Sequence, residues 1–305
     1  MIAQMAQVMA KPVRFRRLKA FFTIVGAVVS ILVVLTVLLS LFSGDTGLSL
    51  GDKVGVIKVD GVILDSVEIN RQIKEFSDRD DIKAVVIRIN SPGGSVAPSQ
   101  EIYSEIKRLR EKKKVVASMS SVAASGGYYI AVAADKIVAN PGTITGSIGV
   151  IVQYMNFEGL LSKIGLKGNV IKSGEFKDTG SPLREMNASE RKILQELVDD
   201  VEVQFVEAVA EGRGIDIKLV RKLADGRIFS GAQAKEKGLV DEIGGLQDAI
   251  DLVARLAEMD PEPGVVYSKK RIDGFWKYFI GEEPGSFFGS LYSGLNVMYL
   301  ARPFN

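Results

Sequence analysis

Between residues 84 and 139 the chain alternates apolar β-prone runs with helical spacing, and this alternation leaves few architectures open. Ala84–Ile89 is almost continuously apolar, as in a parallel strand covered on both faces. Pro98–Lys112 sets Ile102, Ile106 and Leu109 on one helical face, with proline near its start. Val115–Met119 and Lys136–Ala139 read as further strands. Strand, helix, strand in this order predicts an α/β domain with a largely parallel sheet, whose functional groups collect at the carboxyl ends of strands. Two stretches of small residues stand at such ends: Asn90-Ser-Pro-Gly-Gly-Ser95 and the segment around Ser125.

Ser125 precedes a short helical stretch, Tyr128–Ala134. A serine there can cap a buried helix, or it can be a nucleophile whose developing oxyanion is met by nearby N–H groups. The glycine turn has two readings as well. It is a tight strand-to-helix connection, or a place where backbone N–H groups converge on an anion and an extended substrate comes close. No Gly-Lys-Ser/Thr follows it, so it is not a nucleotide phosphate loop. Ser147, in Thr143–Gly149, either satisfies local backbone or orients an amine.

Composition narrows the chemistry. The chain contains no histidine and no cysteine, which excludes a Ser-His-Asp triad, thiolate catalysis and His- or Cys-ligated zinc. An activated serine here needs another base, and lysine is the natural one once apolar surroundings lower its pKa. Lys177, in the loop Ser173-Gly-Glu-Phe-Lys-Asp178, competes for this role with Lys172 and with Lys112–Lys114, which end a helix where positive charge suits the dipole. With 39 basic and 37 acidic residues, nothing calls for a nucleic-acid partner. No cofactor or metal is expected.

The amino-terminal region is of another kind. Ala20–Phe42 carries no charge and is mostly apolar, long enough to cross a hydrocarbon core of about 30 Å as a helix. Lys11, Arg14, Arg16, Arg17 and Lys19 precede it with no acidic residue among them, a bias that keeps the amino terminus in the cytoplasm and sends the remainder across the membrane. The predicted map is a basic cytoplasmic segment 1–19, a single transmembrane helix 20–42, a linker 43–53, a catalytic domain 54–262 and a tail 263–305. Within the domain, Val54–Val59, Val150–Tyr154 and Asn169–Lys172 read as strands. Ser66–Phe76, Phe157–Ile164, Ser189–Gly212, Asp216–Leu223, Ala232–Lys237 and Gly245–Met259 read as helices, the longest capped by Asn187 or Ser189. The tail is rich in aromatics broken by glycine and proline, and partial order is expected of it. It could lie on the domain or on the bilayer.

Four blocks, Asn90–Ser95, Ala123-Ala-Ser-Gly-Gly-Tyr-Tyr129, Thr145-Gly-Ser-Ile-Gly149 and Ser173–Asp178, occur in the order found in the signal peptide peptidase A family. The chain resembles that family, the membrane-anchored Ser-Lys proteases of the Clp/crotonase superfamily fold, from about Val54 to Leu256. The resemblance implies that Ser125 is the nucleophile, Lys177 its base and Ser147 the holder of the lysine amine. It also implies Gly94 and Gly126 as oxyanion donors, with Gly93 and Gly149 beside an extended peptide. It further implies a ring-shaped homo-oligomer in which one subunit's lysine completes its neighbour's serine, and a tail able to occupy a substrate groove. The substrates implied are remnant signal peptides and misfolded exported proteins. The alternatives are a related Ser-Lys membrane protease acting on a stomatin-like partner, a non-enzymatic membrane scaffold, and a thioester hydratase or isomerase of the related crotonase fold.

Overall fold

The computed structural model of the chain describes residues 13–42, 51–269 and 296–300, with side chains over 20–36 and 51–269. Two compact units are present, residues 1–50 and 51–305. In the first, helix α1 runs over Val13–Phe42, about 45 Å at 1.5 Å per residue. The apolar run lies wholly within it, and its described side chains are exposed on every face, Phe21, Val25, Val28 and Leu32 among them. Among the described residues no helix is long and apolar enough to cross a membrane, the described side chains of α1 ending at residue 36. The basic side chains before residue 20 and most of the linker lie outside the described residues.

In the second unit the chain runs β1 (Lys53–Asp60), α2 (Val67–Asp78), β2 (Ile82–Ser91), β3 (Gly93–Ser95), α3 (Val96–Arg110), β4 (Lys114–Ala124), α4 (Gly126–Ala131) and β5 (Lys136–Ala139). Next come β6 (Ile144–Gly146), β7 (Ile151–Gln153), α5 (Glu158–Lys163), α6 (Ala188–Arg213), α7 (Ile217–Leu223) and β8 (Ile228–Ser230). It closes with α8 (Gly231–Glu236), β9 (Glu242–Ile243), α9 (Leu246–Leu256), β10 (Gly264–Tyr267) and β11 (Asn296–Leu300). The main sheet has the order β10-β1-β2-β4-β5-β9, with every neighbouring pair parallel. The expected wholly parallel sheet needs correction to a mixed one. β8 runs antiparallel to β6, and a second, three-stranded sheet β3-β11-β7 is antiparallel throughout.

Both faces of the main sheet are covered, which is why its central strands are apolar on successive residues. On one face Ile57, Val85, Ile87, Val115 and Ala117 form a core with Phe76 of α2, Ile102 and Ile106 of α3, α4, and Phe205 of α6. On the other, Val54, Val56, Val86, Val116 and Val138 meet Ile250 and Val253 of α9.

Three local readings change. Asn169–Lys172 is not a strand: Val170 and Ile171 are exposed and unpaired, and β propensity without a neighbouring strand does not build a sheet. β4 extends five residues beyond Met119, because after pairing β5 over Val116–Met119 it pairs β6 over Val122–Ala124. Gly264–Tyr267, placed by the sequence in the tail, is the edge strand β10, parallel to β1.

Candidate active site

The extension of β4 places the candidate nucleophile. β4 and β6 pair in parallel with Ala124 opposite Gly146, so the next residues, Ser125 and Ser147, stand side by side at adjoining strand ends. The Ser125 N–H donates to the Gly146 carbonyl at 2.8 Å, and the Ser147 N–H donates to the Arg227 carbonyl at 2.8 Å. Both serines hold positive φ, 54° and 50°, a region where a Cβ is disfavoured. Neither is a helix cap of the ordinary kind. Ser125 makes no side-chain capping bond, and its ψ of −118° turns the chain sharply from strand into α4. Ser125 is 1% exposed and Ser147 9%.

The strain is held by packing. Every residue of α4 is buried. The Tyr128 hydroxyl donates to the Leu239 carbonyl at 2.9 Å, and the Tyr129 ring sits between Tyr103 and Phe205, with centroids 4.9 and 5.0 Å away. Burial pushes the Tyr129 phenol up to about 12, so it stays a neutral anchor.

The two glycine pairs lie against each other. A Cβ on Gly126 would be 2.7 Å from Ser99 Oγ and 3.2 Å from both Gly93 Cα and Gly94 N; one on Gly94 would be 2.1 Å from the Ile63 carbonyl oxygen. Ile63 lies along one edge of β3, where its N–H donates to Gly93 O (2.9 Å) and its carbonyl accepts from Ser95 N (2.7 Å). Successive peptide groups of a strand alternate in direction, so the N–H and C=O of Gly94 face the opposite edge, towards β11. Gly93, Gly94, Gly126, Ser125 and Ser147 are thus brought together. Gly149 stands apart: it is half-buried, and a Cβ there would have nothing closer than Gly226 Cα at 3.6 Å, so packing does not require glycine.

One strand's width separates β3 from β7, and β11 lies in that gap. Tyr299 is opposite Gly94 and Leu300 opposite Gly93 on one side; Val297 is opposite Val152 and Met298 opposite Ile151 on the other, both pairings antiparallel. Of the tail's three readings, groove occupation is the one this pairing matches. The aromatic stretch 270–295 lies outside the described residues.

Lys177 is not brought to Ser125. Its side chain is exposed, and among the described residues no contact joins it to Ser125 or Ser147. It belongs to a stretch with little burial of its own: α5 has no buried residue, and Phe157, Leu160, Ile164, Leu166, Val170, Ile171 and Phe176 are all exposed. Lys172, the competing lysine, is committed elsewhere, since its amine donates to Asp178 Oδ1 at 2.6 Å. Lys113 donates to the Phe76 and Arg79 carbonyls, which gives that lysine run a structural use.

Sequence reasoning missed what secures the lysine loop. Arg184 donates to Asp178 Oδ1 at 2.7 Å and to Glu190, which is fully buried and closes a capping box with Asn187 at the start of α6. Arg184 holds the Glu190 carboxyl down at about 2 and pulls Asp178 low as well. The residue after Lys177 is thereby tied to the head of the longest helix of the unit. Asn187-x-x-Glu190 was a readable capping signal, but nothing in the sequence tied Arg184 to it.

Comparison with known proteins gives this geometry a family. The Clp protease family pattern matches residues 57–143, and Peptidase family S49 matches residues 107–260. The chain is 53% identical over 179 residues to Putative protease slr0021 of Synechocystis sp., covering 59% of this chain and 65% of that protein. It is 37% identical over 245 residues to Putative signal peptide peptidase SppA of Enterococcus faecium (76% and 71% covered), and 38% identical over 218 residues to Putative protease MJ0651 of Methanocaldococcus jannaschii (71% and 70% covered). The chain belongs to Peptidase family S49 and is a peptide-bond hydrolase.

Proposed function

We propose that the protein is a membrane-anchored serine endopeptidase with a Ser125–Lys177 dyad, acting on remnant signal peptides and misfolded exported chains. The observation that carries this reading is the strained, buried pair Ser125 and Ser147 beside the Gly93-Gly94 edge, with an extended segment of chain already lying along that edge. Ser125 Oγ attacks the scissile carbonyl carbon while the neutral Lys177 amine takes its proton. The resulting oxyanion is met by the N–H groups of Gly94 and Gly126. Collapse breaks the C–N bond, Lys177 returns the proton to the leaving amine, and an acyl ester remains on Ser125. Lys177 next takes a proton from water, whose oxygen attacks the ester, and Ser125 is released with the carboxylic acid product. The Ser147 hydroxyl positions the amine.

Because the lysine of one chain is exposed while its serine is buried, the dyad is completed between neighbouring copies in a closed homo-oligomer. The exposed aliphatic and aromatic residues of 157–176 cover the neighbour's site and supply the apolar surroundings that a base lysine needs. The apolar run within α1 anchors the assembly, amino terminus in the cytoplasm and catalytic unit outside. The test is hydrolysis of a synthetic signal peptide in detergent by the wild type, Ser125→Ala and Lys177→Ala, each with its oligomeric state measured. Loss in both with assembly intact supports the dyad; retained turnover in either rejects it.

A further inference from the structure

We propose that the cavity between β7 and α6 is a specificity subsite, receiving alternate side chains of the peptide in the groove and selecting apolar residues against basic ones. The inference rests on the peptidase reading above and names what that site prefers. The cavity is about 370 Å³, walled by Val150 and Val152 on one side and Leu194 and Val198 on the other. These four are half-buried, whereas Arg191 and Gln195, which also line it, are exposed at its rim. Positions 191, 194, 195 and 198 fall on one face of α6, and 150 and 152 on one face of the β7 segment. One strand face and one helix face therefore enclose an apolar floor with a cationic edge. Arg191 makes no ion pair among the described residues.

The register of β11 shows what reaches this floor. Residues directly opposite in an antiparallel pair share a face of the sheet. Val297 is opposite Val152, so a peptide in this register presents the residue at that position, and the one two further along, on the face of Val152 and Val150. The intervening residue, at the position of Met298, falls with Ile151 on the other face. Two positions two residues apart should therefore be read by the cavity, and the one between them should not. Aliphatic walls favour Leu-like side chains, and the Arg191 guanidinium disfavours Lys or Arg at the same two positions. Such a filter suits peptides that are continuously apolar.

The experiment uses the full-length protein in detergent and a cleaved peptide whose scissile bond is located by mass spectrometry. Each residue amino-terminal to that bond is replaced in turn by Leu, Ala, Trp or Lys, and kcat/KM is measured for the wild type, Val198→Trp and Arg191→Glu. The expected wild-type result is about tenfold or greater preference for Leu over Lys at one pair of positions two residues apart. Val198→Trp, which fills the cavity, should turn the preference there from Leu to Ala. Arg191→Glu, a rim change that leaves the walls intact, should erase most of the discrimination against Lys at those two positions alone. Unchanged preferences in both variants, or equal changes at every position, would overturn the subsite. Ser125→Ala, run alongside, reports on the peptidase reading separately, since its loss of cleavage stands whichever way the side-chain preferences fall.

Discussion

The two halves of the candidate dyad differ in how they are held. Ser125 sits at the end of a central strand, its N–H bonded to Gly146, its helix fully buried, its glycine neighbours in backbone contact. Lys177 sits in a stretch whose large apolar side chains face solvent, secured at the next residue by the Asp178–Arg184–Glu190 network. The first is rigid because it lies over a close-packed core, where strain at φ = 54° is over-determined by its surroundings. The second has charge and hydrogen bonds to give it shape but little hydrophobic burial within its own chain. An enzyme divided in this way has a preformed nucleophile and a base that depends on assembly for its cover.

Complementation is the most severe way to break this contrast. Ser125→Ala and Lys177→Ala should each lower kcat/KM by about 10³-fold or more, and co-assembly of the two inactive chains should restore turnover, since some sites then pair an intact serine with an intact lysine. Mixed assemblies without activity would mean that the dyad forms within one chain. The rigid half can be tested next through its glycines. Gly94→Ala puts a Cβ 2.1 Å from the Ile63 carbonyl and should cost about 10²-fold or more in kcat by displacing one oxyanion donor, whereas Gly149→Ala has room and should stay within about threefold of the wild type. Equal losses in the two variants would undo the distinction drawn between them.

Removal of residues 296–305 should raise peptidase activity several-fold through a lower apparent KM, because a tethered segment competes at high effective concentration. Unchanged kinetics would show that β11 does not compete with substrate. The smallest effect concerns the lysine loop. Glu190 is drawn from an ordinary 4.5 to about 2, so its stabilising contribution is complete above about pH 4.5 and disappears as the pH falls through about 2. Limited proteolysis of residues 154–187 across that interval should show progressive loosening in the wild type. In Glu190→Gln the loop should be looser already at neutral pH, with a shallower dependence left by Asp178. A profile identical to the wild type would remove Glu190 from the tether.

Much of the scaffold was legible because its signals are local. The four-residue spacing through Ile193, Leu197, Val201, Phe205 and Val209 predicted a helix that appears as α6, and Lys136–Ala139 was read with the bounds it has. The failures lie where pairing decides. Val170 and Ile171 are β-prone but have no strand beside them, while Gly93–Ser95, with no β propensity, is a strand because Ile63 and β11 flank it. Gly264–Tyr267 is short and alternates half-buried with exposed residues, a pattern that a loop also shows.

By itself the sequence determined the class of fold, the exclusion of histidine and cysteine chemistry, and the candidates Ser125, Ser147 and Lys177, because these follow from periodicity and residue type. Only the tertiary structure decided that Ser125 and Ser147 are neighbours, that Gly94 faces the groove, that β11 lies there and that Lys177 lies away from the serine. Those are matters of register and burial between segments distant in the chain, and no local pattern carries them.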